Sequence, residues 1–200
     1  MEILEKVLGN VARVKIMKLF LLNKSKGFNS KDIAKRSRVS ADTARREVKL
    51  LSSVNFIKKR SPSAMDWYFN PFFKYVDEFE GLLVRSETFN KQLILDNFKK
   101  VGKIKLVIVS GIFIKNGDSR VDLLVVGDKM KGGRIEEEVR KLEALVGTEL
   151  VYATFNTKEF IYRYNMYDKL IRDILDYPHE VIFQAKELST SALKKAQKLV

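Results

Sequence analysis

Two sets of residues in this 200-residue chain have the types and spacing to do chemistry. The first is cationic. Arg45, Arg46 and Lys49 follow Ser40 and Thr43, and Lys58, Lys59 and Arg60 come soon after. Guanidinium and ammonium groups in such a cluster suit phosphate oxygens, and an arginine fork also suits the O6 and N7 atoms of guanine. The sequence does not separate these two uses. The second set is Ser110-Gly111-Ile112, followed by Ser119-Arg120-Val121-Asp122-Leu123. A carboxylate soon after a glycine turn is a start on phosphoryl-transfer chemistry, but a two-metal reaction needs several carboxylates, because Mg2+ takes hard oxygen ligands.

The distribution of charge favours the first set. The chain carries a net charge of +13 from 38 Lys and Arg against 25 Asp and Glu. Residues 1–60 hold 16 of those cations and 5 of the acids, a net of +11, which leaves +2 for residues 61–200. A cationic field concentrated in one stretch attracts phosphates and releases their counterions, whereas charge spread evenly serves solubility. No cysteine is present, which excludes disulfides and thiolate metal sites. The first residues, MEILEKVLGNVARVK, have acids where a secretory leader needs cations, and no apolar run approaches membrane-spanning length. A cytoplasmic location and no membrane partner are therefore expected.

The elements that must position the cationic set follow from apolar spacing. Residues 2–23 read as helix with a break near Gly9-Asn10, and the part from Ala12 to Leu22 is the first of three core helices. Ser30 is expected to cap a short helix with Ile33 and Ala34 inward. Arg38-Val39-Ser40 ends it, and Ser40 caps the next. Ala44, Val48 and Leu51, spaced by four and three, bury one stripe of that helix and leave Thr43, Arg45, Arg46 and Lys49 on other faces. Asn55 takes a left-handed helix end, and two short extended runs, Asn55 to Arg60 and Asp66 to Asn70, flank Ser61-Pro62-Ser63-Ala64.

Beyond Pro71, Phe72, Phe73, Val76, Phe79, Leu82 and Leu83 predict an amphipathic helix to Ser86. A further helix from about Thr88 to Lys100 carries Phe89, Leu93, Ile94 and Phe98 inward, with Gly102 closing it. Ile104 to Val109 and Val121 to Val126 read as strands around an Asn116-Gly117 reversal. Gly132 to Leu145 is helical with Glu136, Glu137 and Glu138 outside, and Thr148 to Phe155 is a third strand. Thr157 caps helices over residues 158–176, and Glu180 to Gln184 is a last strand. The tail from Leu188 reads as a weak basic helix. His179, the single histidine, reads as a turn or surface residue, and the aromatics Tyr152, Phe155, Phe160, Tyr162, Tyr164 and Tyr167 as packing. Lys129 to Arg134 contains two glycines but no following Lys-Ser or Lys-Thr, so it is no P-loop.

The stretch from Asn29 to Arg60 resembles a winged helix-turn-helix. Gly111 to Asp122 with its flanking strands resembles the nucleotidyltransferase fold of MNT-type domains and DNA polymerase beta, in which a strand ends in Gly-Ser and a second strand carries Asp-x-Asp. Ile112 stands in place of that serine, Arg120 in place of the first aspartate, and Asp122 at the second. The third strand, where the family offers another acid, has none between Leu150 and Phe155. The combination is similar to prokaryotic transcriptional regulators that fuse the two domains.

That resemblance implies an α+β protein with a winged helix-turn-helix at residues 1–70, a linker helix at 71–86, a nucleotidyltransferase-like mixed sheet with helices at 87–187 and a basic tail at 188–200. It implies sequence-specific binding of double-stranded DNA as a homodimer. Ser40, Thr43, Arg45, Arg46, Lys49, Lys58, Lys59 and Arg60 would be the contact residues. Gly111, Ile112, Arg120 and Asp122 would form a degenerate nucleotide site without metal, cofactor or catalysis, open to a nucleotide or protein effector. Two other readings stay open: an active nucleotidyltransferase acting on a protein or RNA, for example in a toxin-antitoxin pair, and a helix-turn-helix used only for protein interaction.

Overall fold

The computed structural model describes residues 3–85 and 90–189. The fold is mixed α+β, and the chain divides into two compact units, Met1–Glu87 with Arg140–Glu149, and Thr88–Val139 with Leu150–Val200. Among the described residues no helix is long and apolar enough to cross a membrane.

The first unit begins with α1 (Ile3–Val7) and α2 (Val11–Leu22). The break between them falls at Gly9, whose φ of +70° only glycine adopts without strain, and Asn10 caps α2 by accepting from the Ala12 amide at 2.8 Å. Next come α3 (Ser30–Ser37) and α4 (Ala41–Ser53), then a hairpin of β1 (Ile57–Lys59) and β2 (Trp67–Phe69), paired antiparallel with Ile57 opposite Phe69 and Lys59 opposite Trp67. The core of this unit gathers Ile16 and Phe20 from α2, Ile33 from α3, Ala44, Val48 and Leu51 from α4, and Phe56, Ile57 and Phe69 around the hairpin. Asn55 has φ +59°, the left-handed turn that ends α4 and starts the hairpin.

The segment after the hairpin differs from the amphipathic helix expected from Phe72. Asn70 turns the chain instead: its carbonyl accepts from the Phe73 amide at 3.0 Å and its side chain from the Phe72 amide at 3.3 Å. Phe72 is thereby left exposed, and the helix begins only at α5 (Val76–Glu80), continuing as a π-helical turn, Gly81–Arg85, that buries Leu83. Residues 86–89, including Thr88 and Phe89, lie outside the described residues.

The second unit carries α6 (Lys91–Lys99), β3 (Lys103–Val109), a 3-10 turn (Gly111–Ile114), β4 (Leu123–Asp128), α7 (Gly132–Val146), β5 (Tyr152–Phe155), α8 (Thr157–Asn165), α9 (Lys169–Asp176) and β6 (Glu180–Gln184), of which the last turns of α7 belong to the first unit. The sheet is mixed, in the order β5-β4-β3-β6: β3 pairs antiparallel with β4 and β6, and β4 pairs parallel with β5. Every residue from Leu106 to Val109 and from Leu123 to Val126 is buried, as expected of central strands covered on both faces. Leu106, Ile108, Leu124 and Val126 pack with Phe160 of α8 and with Ile171 and Ile174 of α9.

Several local expectations are corrected. The cap of α3 is Asn29, whose side chain accepts from the Lys31 and Asp32 amides, so Ser30 is the first helical residue. Asn156 likewise caps α8 in place of Thr157, which instead donates its amide and hydroxyl to Asp128 at 3.1 and 2.9 Å. Those two bonds hold the Asp128 carboxyl below its usual value. Leu93 is exposed and Leu95 takes the inward place beside Ile94 and Phe98 on α6, which starts at Lys91 behind the Asn90 cap. Glu138, expected outside, is buried on α7. Of the aromatic group, Phe155 and Phe160 are core, while Tyr152, Tyr162 and Tyr167 are exposed. The tail reads as a 3-10 turn over Lys186–Leu188, and its remainder from 190 lies outside the described residues.

Candidate nucleic-acid interface

The cationic set lies on α4 and the hairpin. Ser40 caps α4: its hydroxyl accepts from the Thr43 amide at 3.1 Å and donates to the Thr43 hydroxyl at 2.8 Å. Ser40 is thus engaged in the cap, and Thr43 keeps its own hydroxyl proton for an outside acceptor. Arg46 reaches back toward Thr43 Oγ1 at 3.5 Å. Arg45, Arg46 and Lys49 are exposed, as the buried stripe of Ala44, Val48 and Leu51 requires.

Arg45 and Lys49 line an open cleft of about 740 Å³ together with Lys59 of β1, the start of α3, and Met65 and Trp67 of the hairpin. The pleat of the short strand divides the remaining cations. Lys59 shares a face with Trp67 and lies 5.1 Å from the centre of its ring. Lys58 points to the other face with Tyr68 opposite it, and Arg60 stacks on the Tyr68 ring at 4.0 Å. The structure therefore brings Arg45, Lys49 and Lys59 into one cleft and sets Lys58 and Arg60 apart from it.

What fixes α4 is a residue the sequence reading passed over. Glu47 is buried on the inner side of α4, where its carboxylate accepts from Asn10 Nδ2 at 2.5 Å and from Arg13 Nε at 2.8 Å. Arg13 also donates to the Leu8 carbonyl at 3.2 Å. A buried carboxylate needs such partners, so the trio ties the exposed cationic helix to the start of α2. Glu47 does lie on the buried stripe in sequence, three residues after Ala44 and four before Leu51. That placement is the signal that could have found it. On the other side of this unit, Arg36 of α3 pairs with Glu149 at 2.7 Å and holds its carboxyl below the usual range. Burial holds the Lys15 ammonium on α2 below its usual range as well, which for a cation favours the neutral form.

The glycine-turn set is built differently. Gly111 has φ +54°, and a Cβ there would run into the Asp122 carboxylate. Asp122 accepts from the Ile112 amide at 3.0 Å through one oxygen and from the Val151 amide at 2.9 Å through the other. Its backbone carbonyl accepts from the Ser110 amide at 2.9 Å, and the Ser110 hydroxyl donates to the Val121 carbonyl. Arg120 faces elsewhere and pairs with Asp173 of α9 at 3.2 Å. Gly111, Ile112 and Asp122 are thus brought together, and Arg120 is not. Among the described residues, no group of three or more His, Asp or Glu could hold a metal ion.

No family model, curated protein or solved structure matches the chain.

Proposed function

We propose that the chain is a sequence-specific double-stranded DNA-binding regulator whose N-terminal unit works as a winged helix-turn-helix. The observation that carries this is the convergence of Arg45 and Lys49 from α4 with Lys59 from the hairpin on one open cleft, in the part of the chain that holds nearly all its net positive charge. In this reading α4 enters the major groove, Thr43, Arg45 and Arg46 contact base edges or adjoining phosphates, and Lys49 and Lys59 neutralise the backbone beside it. Lys58 and Arg60 serve phosphates farther along the duplex, since the strand turns them to its other face. The protein works as a homodimer on paired half-sites.

The C-terminal unit, in the same reading, is a nucleotidyltransferase-like domain that has given up catalysis and serves dimerisation or sensing. What supports this is the state of Asp122. Both its oxygens are taken by backbone amides, and no second carboxylate stands two residues earlier, where Arg120 is drawn to Asp173. A carboxylate so engaged would lose two hydrogen bonds on turning to a metal. Selection of bound fragments from genomic DNA by the full chain tests the reading. A palindromic motif supports it, and recovery of fragments without any shared motif overturns it.

A further inference from the structure

Asp42 is an acid in the middle of the cationic surface. It sits exposed in the first turn of α4, and its Oδ1 accepts from Arg45 NH2 at 2.8 Å. Arg45 is held at a second point, where Nε donates to the Ala41 carbonyl at 3.4 Å. The two bonds engage Nε and one NH2 proton, so the edge formed by NH1 and the remaining NH2 proton takes no part in either. That edge is the fork that matches guanine O6 and N7. The other Asp42 oxygen, Oδ2, is not the one that Arg45 engages and remains an acceptor.

An acid here works against simple phosphate binding. Placed near a duplex backbone it repels phosphates, and an exposed pair at this spacing contributes little to stability. Its chemistry makes sense if the helix start reads bases. A carboxylate accepts from the exocyclic amine of cytosine or adenine, finds no donor on a thymine edge, and penalises sliding of Arg45 onto a phosphate. We propose that Asp42 is a specificity-determining residue: it positions Arg45 on a guanine and itself accepts from an amine-bearing base on the neighbouring pair. This rests on the DNA-binding reading above and adds to it the base class read by the first turn of α4.

The test compares the full chain with Asp42→Asn and Asp42→Ala, measuring affinity for a duplex selected by the wild type and for a scrambled duplex of equal length at one salt concentration. Both variants are expected to bind the scrambled duplex more tightly than the wild type does, while the ratio of selected to scrambled affinity falls about tenfold. Asp42→Glu, which keeps the charge, is expected to return scrambled-duplex affinity to the wild-type value. A ratio unchanged within about twofold in both variants, at an unaltered unfolding midpoint, overturns the proposal while leaving DNA binding intact. Failure of the wild type to bind any duplex overturns the DNA-binding reading itself, and this proposal with it.

Discussion

The two chemistry-bearing regions differ in where their polar groups find partners. On α4 and the hairpin, Arg45, Arg46 and Lys49 stand outside a well-packed stripe, and only part of their hydrogen-bonding capacity is used internally. Around Gly111 and Asp122 the opposite holds: each carboxylate oxygen has an amide, and the Ser110 hydroxyl has a carbonyl. A polar residue satisfied within its own fold stabilises a turn, and one left with spare donors on a firm helix is available to a ligand. Availability, more than residue type, separates the two regions.

The comparison can be broken most decisively at Arg45 and Arg46. Replacing both by alanine is expected to weaken binding to a selected duplex by about 2–4 kcal/mol and to flatten its salt dependence, with little change in unfolding free energy. Equal affinity and an equal salt slope, measured by titration at several salt concentrations, would show that α4 is not the contact surface. Asp122→Ala should do the reverse. It strands the Ile112 and Val151 amides, so denaturant unfolding should report a loss of about 1–3 kcal/mol while DNA affinity is unchanged at temperatures where the fold persists.

Glu47→Ala joins the two kinds of effect, because its carboxylate is structural and its helix is the contact surface. Loss of its bonds to Asn10 and Arg13 is expected to destabilise by about 1.5–3 kcal/mol and to lower DNA affinity only as far as α4 loses its place. Glu47→Gln should recover part of both, and an Ala variant as stable as wild type would show the trio to be incidental. Acid should act on a smaller scale. Asp128 and Glu149 have carboxyls depressed below 3.8 and 4.5, so the folded state binds fewer protons than the unfolded one. Their contribution is complete above those ordinary values and is lost as pH falls through the lower folded ones. Thr157→Val, which removes one donor to Asp128, should reduce the acid sensitivity seen in pH-dependent thermal melts. The smallest effect is expected at Trp67→Leu, where Lys59 loses its aromatic support: about 0.5–1 kcal/mol in DNA affinity with no change in charge.

Much of this was legible in the sequence where period and cap chemistry agree. Ser40 and Asn55 have few competitors at their positions, the stripe Ala44, Val48 and Leu51 obeys a single spacing, and the strand Glu180 to Gln184 is bounded by Pro178. The reading failed where neighbouring residues offer the same chemistry. Asn29 and Ser30, or Asn156 and Thr157, are all good caps, and only the backbone geometry chooses between them. Glu47 was passed over although its spacing to Ala44 and Leu51 marks it, because an acid is not expected in a core unless a partner such as Arg13 answers it, and Glu138 was read as outside from its charge alone. The division of Lys58 and Arg60 from Lys59 needed the strand register, which a run of three cations does not disclose. At the candidate nucleotide site, the order of Gly111, Arg120 and Asp122 could be read, but not that Asp122 closes its own turn.

The place of Arg140–Glu149 in the first unit has a consequence for synthesis. Lys18 donates to the Leu145 carbonyl at 3.4 Å and Asn23 to the Gly147 carbonyl at 2.9 Å, across separations of 127 and 124 residues. Gly147 has φ +95°, and a Cβ there would run into the Lys18 backbone. On the ribosome, the three helices and the hairpin can pack early, but α2 must wait for more than a hundred further residues to emerge before these donors are met. At about 5–20 residues per second that is a delay of several seconds to tens of seconds. During that interval the part of the first unit that Arg140–Glu149 completes is unfinished.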